Sequence, residues 1–360
     1  MFQRLADGAG EAKAQQVRAG LLARLGRVGE AESVLDLALG AARAADDRRR
    51  VTAVLGAAPS AALFGPSPVA RAGGRCLDVV RLLRITTASP SVEATSMRCQ
   101  AVLEALRGRF DVSRNMLASA RSTLEELGLR HGLLETDLFT GMVEFVAGDF
   151  DAAIAPLRSA YEGLGTLGVG ADAGQAAAML ARALPPRGDI DEADQMATAN
   201  EQLAGQNLKT SIAWRIARAE VLAARGHVGE GIAVARAAVD IAQRTDLVLN
   251  HADACAELAK LLEQSGDVVR ARAARDEAAR LYEAKGAVVP AQRLSVGADV
   301  SPVPQRSQNR ARIFLGTLTE RFRHVTVPRK IPLVFWGRSA YCTCAHTRRA
   351  DQATWYTVGP

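Results

Sequence analysis

The sequence predicts an all-α, right-handed superhelical solenoid of about seven helix-turn-helix repeats with a disordered C-terminal tail. Three observations predict it. A turn motif, clearest in Gly148-Asp149-Phe150-Asp151-Ala152-Ala153, returns with glycines at 26, 108, 148, 188, 226 and 266, at intervals of 82, 40, 40, 38 and 40 residues. A degraded copy, Gly65-Pro66-Ser67-Pro68-Val69-Ala70, divides the double interval and makes seven turns. Aromatic content is 4% and alanine is abundant, which suits helices packed through small residues and leucine rather than a sandwich or barrel. Self-similarity at such a period marks an array in which each helix pair leaves an apolar face for its neighbour to cover.

Each place in the motif has a physical job. Glycine (Gly26, Gly108, Gly148, Gly188, Gly226, Gly266) ends the first helix because it reaches a left-handed backbone without steric cost. The apolar residue two places on (Val28, Phe110, Phe150, Ile190, Val228, Val268) folds back over the helix just finished. Asp111, Asp151 and Asp191, three places after their glycines, are expected to accept hydrogen bonds from the free amides that open the next helix. Five places on stands a small residue: Ala31, Ser113, Ala153, Ala193, Gly231 or Ala271. It lets two backbones approach at the base of the hairpin, and in the degraded copy Ala70 takes that place.

Taken in order, the first pair is expected over 13–25 and 30–45, with Ala31, Val34, Leu35 and Ala38 on one face. No polar capping helix precedes it, so the array reads as part of a longer ancestral one. The second pair is the weakest. Pro59 should interrupt its first helix between 51 and 64, a long exit loop follows over 86–91, and fraying is expected there. From Glu93 the pairs are regular: 93–107 with 111–127, 131–147 with 151–164, 171–184 with 191–204, 208–225 with 229–244, and 249–264 with 269–285. Gly128 and Gly286 end second helices, Pro185-Pro186 stops a first one, and Pro156 should bend its helix. In the last pair Ala271, Ala274, Ala278 and Leu281 share a face. Arg272, Asp276 and Arg280 step along another as a solvated ladder, and Tyr282 packs on the preceding helix. Cys76, Cys99 and Cys255 fall at helical spacing with leucine and valine and read as small buried hydrophobes.

Charge divides the chain into a repeat domain over 1–293 and a basic tail over 294–360. The tail holds ten basic and three acidic residues, while the first 293 carry 35 basic and 36 acidic. The array therefore lacks the basic footprint of a nucleic-acid binder. The N-terminus has no apolar signal core and no run is long enough to span a membrane, so a cytoplasmic location is expected.

The turn motif resembles the tetratricopeptide repeat (TPR), with a period nearer the long-helix variety of large signalling ATPases. Arg225-Gly226-His227-Val228-Gly229-Glu230 and the ending Leu281-Tyr282-Glu283-Ala284-Lys285-Gly286-Ala287-Val288-Val289 resemble the C-terminal repeat region of actinobacterial adenylate or guanylate cyclase proteins that join a cyclase, an ATPase and a repeat array. The resemblance covers about 1–293 and implies a regulatory array. It implies no enzyme here. None of the five lysines follows a glycine, so the phosphate loop is missing, and 1–293 shows no strand periodicity to carry a cyclase's metal-binding aspartates. No catalytic residue, cofactor or metal is assigned.

Three constellations are weighed and set aside. Cys342-Thr343-Cys344-Ala345-His346 offers thiolates and an imidazole but no evident fourth ligand. His131, His227 and His251 share no face with a carboxylate and a nucleophile, which excludes a hydrolase reading. In the tail, Trp336, Tyr341 and Trp355 could stack on nucleic acid. The preferred reading is a segment translated out of frame, because Ile331-Pro332-Leu333-Val334-Phe335-Trp336 is an apolar run that selection removes.

Trp214, with Arg218 one turn on, is the weak candidate for a contact in the concave groove, packing between repeats being the preferred reading. The function expected is a protein-protein interaction or ligand-sensing scaffold with a protein or peptide partner in that groove, as a detached regulatory portion of a cyclase/ATPase-type signalling protein. The alternatives are a non-catalytic subunit of an enzyme complex and a transcriptional-regulator fragment that touches nucleic acid through the tail.

Overall fold

A computed structural model describes residues 7–86 and 88–298, the side chains of 296–298 aside. The tail residues singled out above, from Trp336 to Trp355, lie outside the described residues. Among those described are fifteen α-helices and no strand, a TPR-like helical-repeat solenoid. Seven hairpins follow one another: α1 (Gly8–Arg24) with α2 (Val28–Ala44), α3 (Arg48–Phe64) with α4 (Val69–Thr86), α5 (Pro90–Leu106) with α6 (Phe110–Glu126), and α7 (Arg130–Ala147) with α8 (Phe150–Thr166). Then come α9 (Gly170–Ala183) with α10 (Ile190–Ala204), α11 (Leu208–Ala224) with α12 (Val228–Ala242), and α13 (Val248–Gln264) with α14 (Val268–Lys285). A last helix, α15 (Val288–Ala298), carries helix past position 293.

The turn at Gly148 shows how the motif works. Gly148 has φ +82°, and Phe150, first residue of α8, returns its ring edge-on to Phe145 of α7 at 5.1 Å between centroids. The cap is one place earlier than the sequence reading put it. Asp149 Oδ1 accepts from the Ala152 amide at 3.0 Å, and Asp47, Asn207 and Asp267 do the same for α3, α11 and α14. Asp111, Asp151 and Asp191 are already inside the helix, at its second residue, where the side chain points outward. Their charge still suits the positive helix end, and Asp151 and Asp191 pair with Arg187 and Arg225 of the next hairpin at 3.3 and 2.8 Å.

The second hairpin departs from the motif by a two-residue insertion. Gly65 is extended rather than left-handed, Ala70 is exposed, and Ala72, fully buried, takes the close-approach place. Pro59 does not interrupt α3, which runs unbroken to Phe64, and α8 likewise runs through Pro156. Burial of Val51, Val54, Leu55, Ala58 and Ala62 holds α3 past the missing hydrogen bond, since tertiary packing rather than propensity carries most helices in proteins.

First helices of successive hairpins contact one another and form an inner layer; the second helices lie outside. Arginine-carboxylate pairs about one repeat apart staple the hairpins together: Arg98 to Glu135 at 2.9 Å, Arg114 to Glu144 at 2.6 Å, Arg182 to Glu220 at 3.1 Å, and Arg158 to Glu192. Arg98 is 1% exposed and also donates to the Gly132 carbonyl at 2.6 Å, so its removal would orphan buried partners.

Inter-hairpin contacts then skip a whole superhelical turn. Asp246, in the loop before α13, accepts from the Val28 and Gly29 amides at 2.6 and 2.7 Å, and its own amide donates to the Gly26 carbonyl at 2.9 Å. Gly26 has φ +67°, and a Cβ there would stand 2.5 Å from Thr245 Cγ2, so glycine is required twice over. Lys285, fully buried at the end of α14, donates to the Gly65 carbonyl at 2.6 Å and faces that of Ala62 at 3.4 Å, both at the C-terminal end of α3. A carboxylate thus meets one helix's positive end and an ammonium another's negative end.

Burial lowers the Lys285 pKa from its ordinary 10.5 to about 8, with Glu32 and Asp246 opposing the shift. The unfolded chain therefore binds the proton more tightly. The penalty for holding the cation is fully present below pH 8 and is relieved as pH rises toward 10.5, a gain on the order of 3 kcal/mol. Urea unfolding across this range should show that rise in the native chain and lose it in Lys285→Met.

Candidate functional site

The inner layer borders two half-open cavities of about 430 and 270 Å³, and Phe64 of α3 and Met142 of α7 line both. The first lies among α1, α2, α3, α7, α9 and α11, with an apolar wall that includes Leu35, Leu138 and Phe139. Four charged side chains reach it: Arg24, Glu135, Asp172 and Lys209. Glu135 is satisfied by Arg98. Lys209 has its ammonium 3.9 Å above the centre of the Phe64 ring, a cation-π contact. Burial lowers its pKa, and Asp172 opposes the shift without reaching hydrogen-bond distance.

The second cavity lies among α5, α7, α9 and α13 and is roofed by α15, through Pro290, Arg293 and Leu294. The Arg293 guanidinium donates to the Val146 carbonyl, which ties α15 to the end of α7. Gln175 and Asn250 are among its lining residues. Gln175 is 8% exposed and its Oε1 has no hydrogen-bond partner.

Arg182, Asp253 and Tyr282, which also line the second cavity, belong to a buried charge network. Burial works against the charge of Arg182, but Glu220, Asp253 and Glu257 outweigh it and hold the guanidinium more basic than usual. Its planar group also stacks on Phe145 at 4.7 Å. Burial pushes Glu220 toward neutrality, yet Arg182 and Lys260 prevail and keep it ionised. Asp253 is raised by burial and accepts a hydrogen bond from the Tyr282 hydroxyl. Tyr282 is thus both the packing residue expected on α13 and a polar anchor. Glu257 is raised to about 7, by burial first and the neighbouring Glu220 second.

The turn glycines Gly26, Gly108, Gly148, Gly188, Gly226 and Gly266 all have positive φ, and Ala31, Ala153, Ala193 and Ala271 are at most 1% exposed at the hairpin bases. These residues build the wall and do not face the lumen, apart from Ala31, which lines the first cavity. Trp214 and Arg218 line neither cavity. Arg218 pairs with Asp194 of α10, and Trp214 lies under the Arg215 guanidinium at 4.2 Å. Cys76, Cys99 and Cys255 are buried thiols, with burial pushing Cys76 up to about 11 and Cys255 to about 12. Among the described residues no His, Cys, Asp and Glu cluster could hold a metal ion, and no helix is long and apolar enough to cross a membrane.

Of the lumen residues the sequence reading singles out Val28, Ala31, Leu35 and Tyr282, all for packing, and passes over Asp172, Lys209, Gln175 and Asn250. A signal existed in part: opposite charges recurring at the repeat period, such as Arg98 with Glu135 and Arg182 with Glu220, point to stapled first helices.

The fold is similar to that of solved TPR-like structures. A Rap protein complexed with competence and sporulation factor matches with a TM-score of 0.57 at 13% identity, over 79% of this chain and 76% of that one. Aspartyl phosphate phosphatase F from Bacillus subtilis matches with a TM-score of 0.56 at 12% identity, over 78% and 73%. At such identities the likeness is one of fold. No family model matches the chain, and no curated protein does.

The network makes a pH prediction. The folded state holds a proton on Glu257 up to about pH 7 that the unfolded chain releases near 4.5, so stability from this group falls as pH rises between those values. Thermal melts should show that fall flattened in Glu257→Gln, which keeps the shape and cannot ionise.

Proposed function

We propose that this chain is a regulatory scaffold that takes a peptide segment into the lumen enclosed by the first helices. The observation that carries this reading is Gln175. A carbonyl oxygen buried without a partner costs about 1–3 kcal/mol, and because Gln175 lines the second cavity, a change of its side-chain rotamer would bring that oxygen to a peptide backbone amide there. Asn250 beside it offers a further donor and acceptor, and Met142, Met179 and Leu249 offer apolar contact, the usual make-up of a ligand pocket. A Rap protein of similar fold was solved in complex with competence and sporulation factor, which supports a binding role for such a scaffold.

The finer part of the proposal is that the chain works in signal transduction as the detached regulatory portion of a cyclase/ATPase-type protein in the cytoplasm. An open frame for a phosphate-loop ATPase in the DNA upstream of Met1 would support that origin, and a promoter there would count against it.

Panning a random peptide library against the full chain tests the scaffold itself. Enriched peptides should compete for one site, and Met142→Trp, which fills the space between the two cavities, should weaken them by about tenfold or more while the melting temperature stays within a few degrees. Peptides that bind the tryptophan variant equally well would place the site elsewhere and defeat the proposal.

A further inference from the structure

We propose that the first cavity is a site for the C-terminal carboxylate of the bound peptide, with Lys209 taking the carboxylate and Asp172 the amide N–H that precedes it. The inference rests on the reading of the lumen as a peptide site and assigns which end of the peptide enters where.

Lys209 is costly where it stands. It is half-buried, its ammonium faces a ring rather than a carboxylate, and no ion-pair partner lies within reach. It is also the second residue of α11, at a helix end whose exposed amides favour negative charge. The Asn207 side chain satisfies one of those amides, that of Thr210, at 3.3 Å. A cation on the positive end of a helix, in a cavity, is stabilised when an anion joins it.

Asp172 determines which anion. It lines the same cavity, makes no ion pair or hydrogen bond, and acts on Lys209 from a distance. Its negative charge opposes a doubly charged group such as phosphate. It also accepts hydrogen bonds and donates none. A peptide C-terminus presents a singly charged carboxylate with an N–H donor at fixed spacing, which answers Lys209 and Asp172 at once, while Arg24, the other charged group there without an ion pair, is exposed and solvated. An aspartate or glutamate side chain lacks that donor. The last side chain of the peptide would then lie against Leu35, Leu138 and Phe139.

The probes are N-acetyl-L-leucine, N-acetyl-L-leucinamide and inorganic phosphate, each at millimolar concentration and equal ionic strength. The chain has five lysines, so the Lys209 signal in a spectrum of lysine labelled with ¹³C at Cε is identified by its loss in Lys209→Arg. N-Acetyl-leucine should shift that signal selectively, while the amide and phosphate should not, and Lys209→Met should abolish binding of N-acetyl-leucine. Asp172→Ala, which removes the acceptor that asparagine would keep, should weaken it by about tenfold, a change near 1.4 kcal/mol. No shift with N-acetyl-leucine, an equal shift with the amide or with phosphate, or binding that survives Lys209→Met would overturn the assignment. Library peptides separate the two ideas. If selected peptides bind equally well when C-terminally amidated, the carboxylate site fails and the scaffold stands; if N-acetyl-leucine binds and no peptide is enriched, the reverse holds.

Discussion

Closure of one superhelical turn by two charged side chains is the constraint on which the rest of the structure depends. Hairpins in a solenoid contact only their neighbours, so a stack of them can wind open or tight with little change in local packing. Asp246 on the first amides of α2, and Lys285 on the last carbonyls of α3, join residues about 220 apart and fix the winding. Each meets backbone groups that a helix end leaves without partners, and each carries the sign the helix dipole favours there. Gly26 lets the two segments touch, since any side chain at that position would strike Thr245.

Once the turn is closed, the inner face of the first helices becomes a lumen instead of an open trough. That change raises the energetic stake of every polar group on the inner face. Arg182, Glu220 and Lys260 are mutually compensated, so their burial is tolerable and holds α9, α11 and α13 in register. Gln175 and Lys209 lack such partners. Unsatisfied groups that a ligand can reach are where it gains most, and these two line the spaces that Phe64 and Met142 border.

Much of the fold was legible because the motif encodes local physics. Glycine at a left-handed position, an apolar residue at the first helical place and a small residue one turn on define each hairpin wherever the three occur together, as at Gly148, Phe150 and Ala153. The reading erred where a single residue was judged alone. Pro59 looked like a break, but the surrounding alanines and valines are buried deeply enough to carry the helix through it. Asp151 looked like a cap because its spacing from glycine is right, yet Asp149 stands closer to the turn and takes the bond. The lumen was hardly legible at all. Asp246 and Lys285 act across 218 and 220 residues, and no periodic pattern links positions used once per superhelical turn.

Hydrogen exchange at the start of α2 tests the closure most directly. The first two amides of an ordinary helix exchange freely, as those of Phe110 and Asp111 at the start of α6 should, since nothing caps them. The Val28 and Gly29 amides should instead be protected by about tenfold or more relative to those two, and Asp246→Ala should remove the difference. Equal exchange at the two helix starts in the native chain would mean that the turn stands open, and the lumen with everything assigned to it would go.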